Sequence, residues 1–495
     1  MEQVMLRFYP GDRREGFRWL AAYNNRMVGL CNQFSCELCN LPEREKLRDF
    51  QGGRLEVALT LHRRPSFWEV KEFYLGHLVA IPEREVREVD EGIEFDISRS
   101  NAFLYTTDSG ALLVDPGSMG FNGDEALVKQ LIANQRIVAT MVSHGHLDHL
   151  NQLGLVKSPV FMTKIAFQLA SRHADLERDA RMVRVLRRAK MVVPGEPVIL
   201  ERSLPFRVDT FSLPHSIPET MGFVLKGNRK RVVHLADFKL SGWEGESKAK
   251  TVATLREIAK EPVDIFALTI TNAHIDGFTP IEAQVIDSFT NIIEGAKGRV
   301  LITCFSSNLE RIRRLAEVTQ LLKRPVSFYG AGMQNTQELL EIKTEEGVIE
   351  SERAVVFVTG CQAEENSILW RIAKEQNLPF ELQPDDTLAF SSRCISGKES
   401  ELRQMIADLR PRVKRLLVNE GDVEQIGLKD LGVEELLTHV SGHESKEGLR
   451  WVLGILQPKQ VLAWPQAEPQ IGAFRKIANE LGVEILPETE RVIKI

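Results

Sequence analysis

At 495 residues, with 43% hydrophobic side chains, the chain is long enough for two or three domains with sizeable cores. A formal net charge of −6 excludes a general basic field, so any polyanion must be captured by local patches. No apolar run approaches the roughly 18 residues of a membrane span, the stretch 1–17 is too charged for a secretory leader, and six cysteines in such a length do not make a disulfide framework. A cytoplasmic protein without membrane contact is therefore expected.

Residues 1–75 carry a mixed, largely helical pattern, broken at Gly52-Gly53 and Arg63-Arg64-Pro65, and are expected to be an N-terminal extension of unknown role. Cys31, Cys36 and Cys39 cluster within it. Their spacing is compatible with part of an iron–sulfur or zinc site, but no fourth ligand is near, and free thiols are the expected state.

Beyond residue 90 the pattern changes to short apolar runs that read as strands, Ala102-Phe103-Leu104-Tyr105 and Ala111-Leu112-Leu113-Val114, followed by the helical stretch 126–132. Asp115 ends the second run before Pro116-Gly117. It is either an ordinary turn residue or a carboxylate placed to orient a ligand histidine. The next strand, 137–142, leads into Ser143-His144-Gly145-His146-Leu147-Asp148-His149-Leu150. Alternate residues of an extended segment point the same way, so His144, His146 and Asp148 converge on one pocket while His149 approaches after the turn. Imidazole and carboxylate ligands without thiolate suit a hydrolytic zinc site better than a structural one.

Such a cluster needs distant ligands, and two occur at strand ends: His215, after the strand-like 206–211, and Asp237, which closes Arg231-Val232-Val233-His234-Leu235-Ala236-Asp237. Past Lys239 the chain repeats strand and helix patterns, as in 298–303 followed by 309–322 and 354–358 followed by 367–375, which indicates a separate α/β domain. Local basic groups occur at Arg184, Arg187, Arg188 and Lys190; at Lys226, Arg229, Lys230 and Arg231; at Arg311, Arg313 and Arg314; and at Arg410, Arg412, Lys414 and Arg415. Each is a candidate phosphate contact or a solvated face.

The order Asp115, His144-x-His146-x-Asp148-His149, His215, Asp237 resembles the metallo-β-lactamase fold. Pro214-His215-Ser216-Ile217-Pro218-Glu219, Gly277-Phe278-Thr279-Pro280, Phe305-Ser306-Ser307-Asn308, Thr359-Gly360-Cys361-Gln362 and Val440-Ser441-Gly442-His443 are similar to segments of ribonuclease J, a β-CASP nuclease, over roughly residues 90 to 495. The resemblance implies an αββα sandwich with an inserted α/β β-CASP domain: an extension at 1–75, sandwich at 76–242, β-CASP domain at 243–400 and sandwich again at 401–495. It leaves no room for a separate C-terminal domain.

The same resemblance implies that His144, His146 and His215 hold one zinc, that Asp148 and His149 hold a second, and that Asp237 bridges them. A two-metal centre of this kind activates water at neutral pH and steadies both oxygens of an in-line displacement at phosphorus. Asp148, Asp237 and His443 are the expected catalytic residues, with His443 protonating the leaving oxygen or stabilising the transition state. Ser306, Ser307, Asn308 and Gly442 are expected to contact substrate.

Two departures stand out. Thr269 occupies the position of the family's acidic residue in Leu268-Thr269-Ile270-Thr271-Asn272, and no histidine follows His443, so only Gln466 or Glu468 is left to offer an oxygen near the family's last ligand position. That vacancy resembles the DNA-processing β-CASP enzymes related to Artemis. A weaker second site open to manganese follows. The expected activity is zinc-dependent hydrolysis of RNA, with a DNA nuclease and an impaired RNA-binding or scaffold protein as alternatives. RNA, or alternatively single-stranded DNA, is the expected partner, with a homo-oligomer of the chain left open.

Overall fold

The computed structural model describes residues 101–487 and 492–494, apart from 108–109, 119–124, 133–135, 199, 201–206, 228–229, 243–244, 345–346, 396 and 466, together with the backbone of five strands nearer the N-terminus. Residues Met1–Asp96 and Ile97–Ile495 form two compact units.

The first unit corrects the helical expectation. Strands β1 (Glu2–Pro10), β2 (Trp19–Tyr23), β3 (Arg26–Cys31), β4 (Arg54–Leu61) and β5 (Glu83–Val89) form one antiparallel sheet in the order β3-β2-β1-β4-β5. Period-two stretches such as Leu55-Glu56-Val57-Ala58-Leu59-Thr60-Leu61 carry the strand signal, and long-range pairing decides in their favour. Cys31 closes β3, and Cys36 and Cys39 lie outside the described residues.

The second unit contains three six-stranded sheets. The first runs β10 (Lys190–Met191), β9 (Val160–Met162), β8 (Ile137–Met141), β7 (Gly110–Val114), β6 (Phe103–Thr107) and β23 (Val492–Lys494). The second runs β11 (Arg207–Ser212), β12 (Met221–Lys226), β13 (Arg231–Leu235), β14 (Ile265–Thr269), β21 (Gln460–Trp464) and β22 (Glu484–Ile485). Strand alternation builds the layers. Phe103, Tyr105, Leu112 and Val114 face Phe223, Leu225, Val232 and Ala267 between the two sheets. Their neighbours Leu104 and Leu113 pack outward on the helices Lys164–Leu176 and Ala180–Leu186. On the far side, Val233, Leu235, Phe266 and Leu268 pack on the helices Gly245–Ile258, Lys446–Leu456 and Gln470–Leu481. The result is the expected αββα sandwich.

The third sheet is wholly parallel, in the order β16 (Val326–Tyr329), β17 (Val355–Val358), β15 (Val300–Thr303), β18 (Thr387–Phe390), β19 (Arg415–Asn419) and β20 (Glu434–Leu436). Its central strands are buried on both faces under helices, which is why they read as continuous apolar runs.

The sheets divide the chain at points other than 243 and 400. Strand β14 pairs with β13 and β21, and the helix Gly245–Ile258 packs on that same sheet, so both belong to the sandwich. Strands β19 and β20 extend the third sheet well past residue 400. Runs such as Ile265-Phe266-Ala267-Leu268 look alike in either sheet, so only pairing assigns them. Among the described residues no helix is long and apolar enough to cross a membrane.

Candidate metal centre

Strands β7, β8, β11, β13, β14 and β21 all end on one edge of the sandwich, because β7 and β8 run parallel and β11 joins β13, β14 and β21 in direction through the antiparallel β12. The two sheets are stitched there by the bond from Met221 N to Ser143 O. Residues that leave these ends meet: Asp115 after β7, His144 and His146 after β8, His215 after β11 and Asp237 after β13. A one-turn helix, Leu147–Leu150, carries Asp148 and His149.

Donor atoms of His144, His146, His215 and Asp237 lie within 4.8 Å of one another, and those of Asp148, His149 and Asp237 form a second such group. His144 Nε2 is 2.9 Å and His215 Nε2 is 3.2 Å from His146 Nδ1. Asp237 Oδ2 lies 3.8 Å from His144 Nε2, 3.9 Å from His215 Nε2 and 3.4 Å from His149 Nε2. The structure thus brings the six expected ligands together, with Asp237 common to both groups.

The polar partners decide which atoms are free to bind. His215 Nδ1 donates to Gly442 O at 3.0 Å and His149 Nδ1 to Asp115 Oδ2 at 2.9 Å, so Nε2 is the nitrogen that each ring turns to the interior. Asp115 also accepts from Ser143 N and Oγ, so its carboxylate is held against the His149 ring. Burial, and then the neighbouring histidines, hold His144 well below the ordinary imidazole value. Burial likewise lowers His146 and His215. Although burial opposes it, Asp237 and Asp148 push His149 well above that value. Buried Asp237 is held well below the carboxylate range by His443 and His149 despite the cost of desolvation. His149 Nε2, buried, makes no hydrogen bond among the described residues. Two carboxylates that draw positive charge onto the His149 ring, beside three imidazoles that burial keeps neutral, make a place for a cation, and the nitrogen and oxygen donors fit a borderline or hard divalent ion.

Gly117 makes the close turn possible, because a Cβ there would lie 2.1 Å from Asp148 O. His443 approaches from beyond the inserted domain, its Nδ1 3.7 Å from Asp237 Oδ1. The Phe305–Asn308 turn reaches the same place through Glu310 N, which donates to Ser216 O at 3.2 Å. Ser306 and Ser307 are half-buried in that turn. Asn308 caps the helix Leu309–Leu321 through Arg311 N, which already occupies its carboxamide oxygen.

Other expectations change. Thr269 Oγ1 is committed to Ala236 O at 3.0 Å. Glu468 is exposed, with Oε2 accepting from Gly472 N at the start of the helix Gln470–Leu481, and it joins neither ligand group. Gln466 lies outside the described residues. Arg311 is no surface patch: it is 1% exposed and paired with Glu282. Lys226 and Arg231 are paired with Glu261, Arg313 with Glu310, Arg412 with Glu375, Lys414 with Asp385 and Arg415 with Glu434. Asn101 went unnoticed in the sequence, where an Asn ahead of a strand reads as a turn residue; its Nδ2 donates to Asp148 O at 3.0 Å and Oδ2 at 3.1 Å.

Fold and site together define a metallo-β-lactamase scaffold. Residues 96–269 match the profile described as the metallo-beta-lactamase superfamily, and 297–409 that described as the ribonuclease J beta-CASP domain. The chain therefore carries a metallo-β-lactamase domain and a β-CASP domain of the ribonuclease J type. Relatives named Ribonuclease J are 28% identical over 377 residues in Sinorhizobium meliloti, covering 72% of this chain and 63% of that protein, and 26% identical over 408 residues in Thermus thermophilus, covering 78% and 68%. A solved structure of a protein of unknown function from Enterococcus faecalis V583 superposes with a TM-score of 0.51 at 12% identity, over 79% of this chain and 95% of that one, and shares the fold.

Proposed function

We propose that this chain is a cytoplasmic, metal-dependent nuclease that hydrolyses phosphodiester bonds, with RNA as substrate and zinc as the resident metal. One observation carries the reading: two ligand groups share the single carboxylate of Asp237, and His443 stands 3.7 Å from the other oxygen of that carboxylate. The relatives named Ribonuclease J support RNA as the polymer.

His144, His146 and His215 would hold one ion, Asp148 and His149 the other, and Asp237 both. Bound there, a metal pair supplies Lewis acidity toward phosphoryl oxygen and lowers the pKa of water. The protein's own groups do the rest. Asp115 and the Gly442 carbonyl fix the tautomers of His149 and His215. His443, with Nδ1 toward Asp237, carries a proton for the oxygen that leaves phosphorus. Gly442, Ser306 and Ser307 line the approach for the strand.

End-labelled single-stranded RNA and DNA of matched sequence, incubated with zinc and with manganese, test this. RNA cleavage is expected. Cleavage of DNA alone would move the substrate to DNA. Inertness in every condition would favour a scaffold, the reading to which the uncharged Thr269 lends weight.

A further inference from the structure

Asp148 is the most open of the expected ligands, its side chain 42% exposed on a helix of one turn. What restrains it is Asn101, itself 1% exposed. While the Asn101 Nδ2 group serves Asp148 twice, its Oδ1 accepts from Trp464 Nε1 at 3.1 Å. An indole N–H can only donate, so the carboxamide oxygen must face Trp464 and both amide hydrogens must face Asp148. Only one orientation of the amide satisfies all three bonds. Trp464, 1% exposed, is the last residue of β21, immediately before the segment in which no histidine ligand appears. It is wedged against Phe103 and His234, with ring centroids 4.4 and 5.4 Å apart. The backbone of Asn101 is fixed as well, its N–H donating to Gly117 O in the loop against which Asp148 packs.

We propose that Asn101 is the positioning residue for the Asp148–His149–Asp237 group, and that Trp464 locks it, so that β21 shapes the second cation site through an indole and a carboxamide without supplying a ligand. Asp115 holds His149 by its ring and Asn101 holds Asp148 by its carboxylate, which places the two ligands that this ion does not share under separate control. The proposal rests on the metal-centre reading above.

Titration calorimetry of metal-stripped full-length protein with zinc and with manganese tests it on wild type, Asn101→Ala and Trp464→Phe. Asn101→Ala should weaken the looser of the two binding events about 10- to 100-fold, the usual cost of removing a ligand's hydrogen-bond partner. The tighter event stays unchanged and serves as an internal control for folding. Trp464→Phe keeps the ring packing and removes one donor, and should weaken the same looser event about 2- to 10-fold. Wild-type affinity at the looser site in both variants, or equal weakening of both sites in both variants, overturns the proposal and leaves the metal-centre reading standing. A wild type that takes up no second ion overturns both.

Discussion

The carboxylate of Glu282 and the guanidinium of Arg311 meet in a two-pronged pair inside the protein, Nε to Oε1 at 2.5 Å and the second nitrogen to Oε2 at 3.0 Å. Lys239, two residues past Asp237, adds its Nζ at 3.0 Å from Oε2. Arg311 also donates to His439 Nδ1 and Val440 O, just ahead of His443. One buried network therefore ties the Asp237 loop, the first helix of the inserted domain and the segment that delivers His443.

Breaking that pair should be costly because the remaining charges are stranded without water. Burial alone would raise the Glu282 carboxyl, yet Arg311 and then Lys239 hold it well below the carboxylate range. A depressed acid contributes stability that is complete above its unfolded value near 4.5 and is lost as pH falls toward its folded value. Glu282→Gln should lose about 3–5 kcal/mol at neutral pH, read from urea midpoints. The gap to wild type should narrow below pH about 4.5. A gap independent of pH between 3 and 7 would contradict the assignment.

Metal content should follow the ligand groups. Replacing both His144 and His146 by Ala removes most of the bound zinc, read by elemental analysis. In wild type one zinc per chain should be tight and the second partial or replaced by manganese, which accepts oxygen ligands readily, with activity rising when manganese is added. Two equally tight zincs after exhaustive dialysis would show that another group completes the second site.

His443→Ala separates chemistry from metal binding. Cleavage should fall about 10²- to 10⁴-fold, as on removing a general acid, while zinc content holds. Loss of metal along with activity would reassign His443 to structure.

Charge pairing singles out one surface for the strand. Arg184, Arg187 and Lys190 are exposed and make no ion pair among the described residues, unlike Lys226, Arg313 and Arg415. Changing all three to Ala should weaken binding of single-stranded RNA and lower the slope of log affinity against log salt by about 2, at roughly 0.7 per phosphate contact. An unaltered slope would identify them as a solvated face.

The ligand cluster 144–149 and the strand-end setting of Asp115, His215 and Asp237 were legible in the sequence, because ligand spacing and the two-residue strand period are local properties, and the αββα layering followed from the family resemblance those motifs carry. Tertiary structure decided what depends on residues far apart. The N-terminal strands are set by pairing across dozens of residues, as between Glu2 and Leu61. The division of strands between the second and third sheets follows partners rather than composition. Arg311 reads as a surface cation until Glu282, 29 residues away, buries with it. Asn101 acquires a role only when Asp148 and Trp464, 47 and 363 residues distant, close on its two ends. No local pattern carries such contacts, since a single carboxamide has the same sequence signature in a turn as in the wall of a metal site.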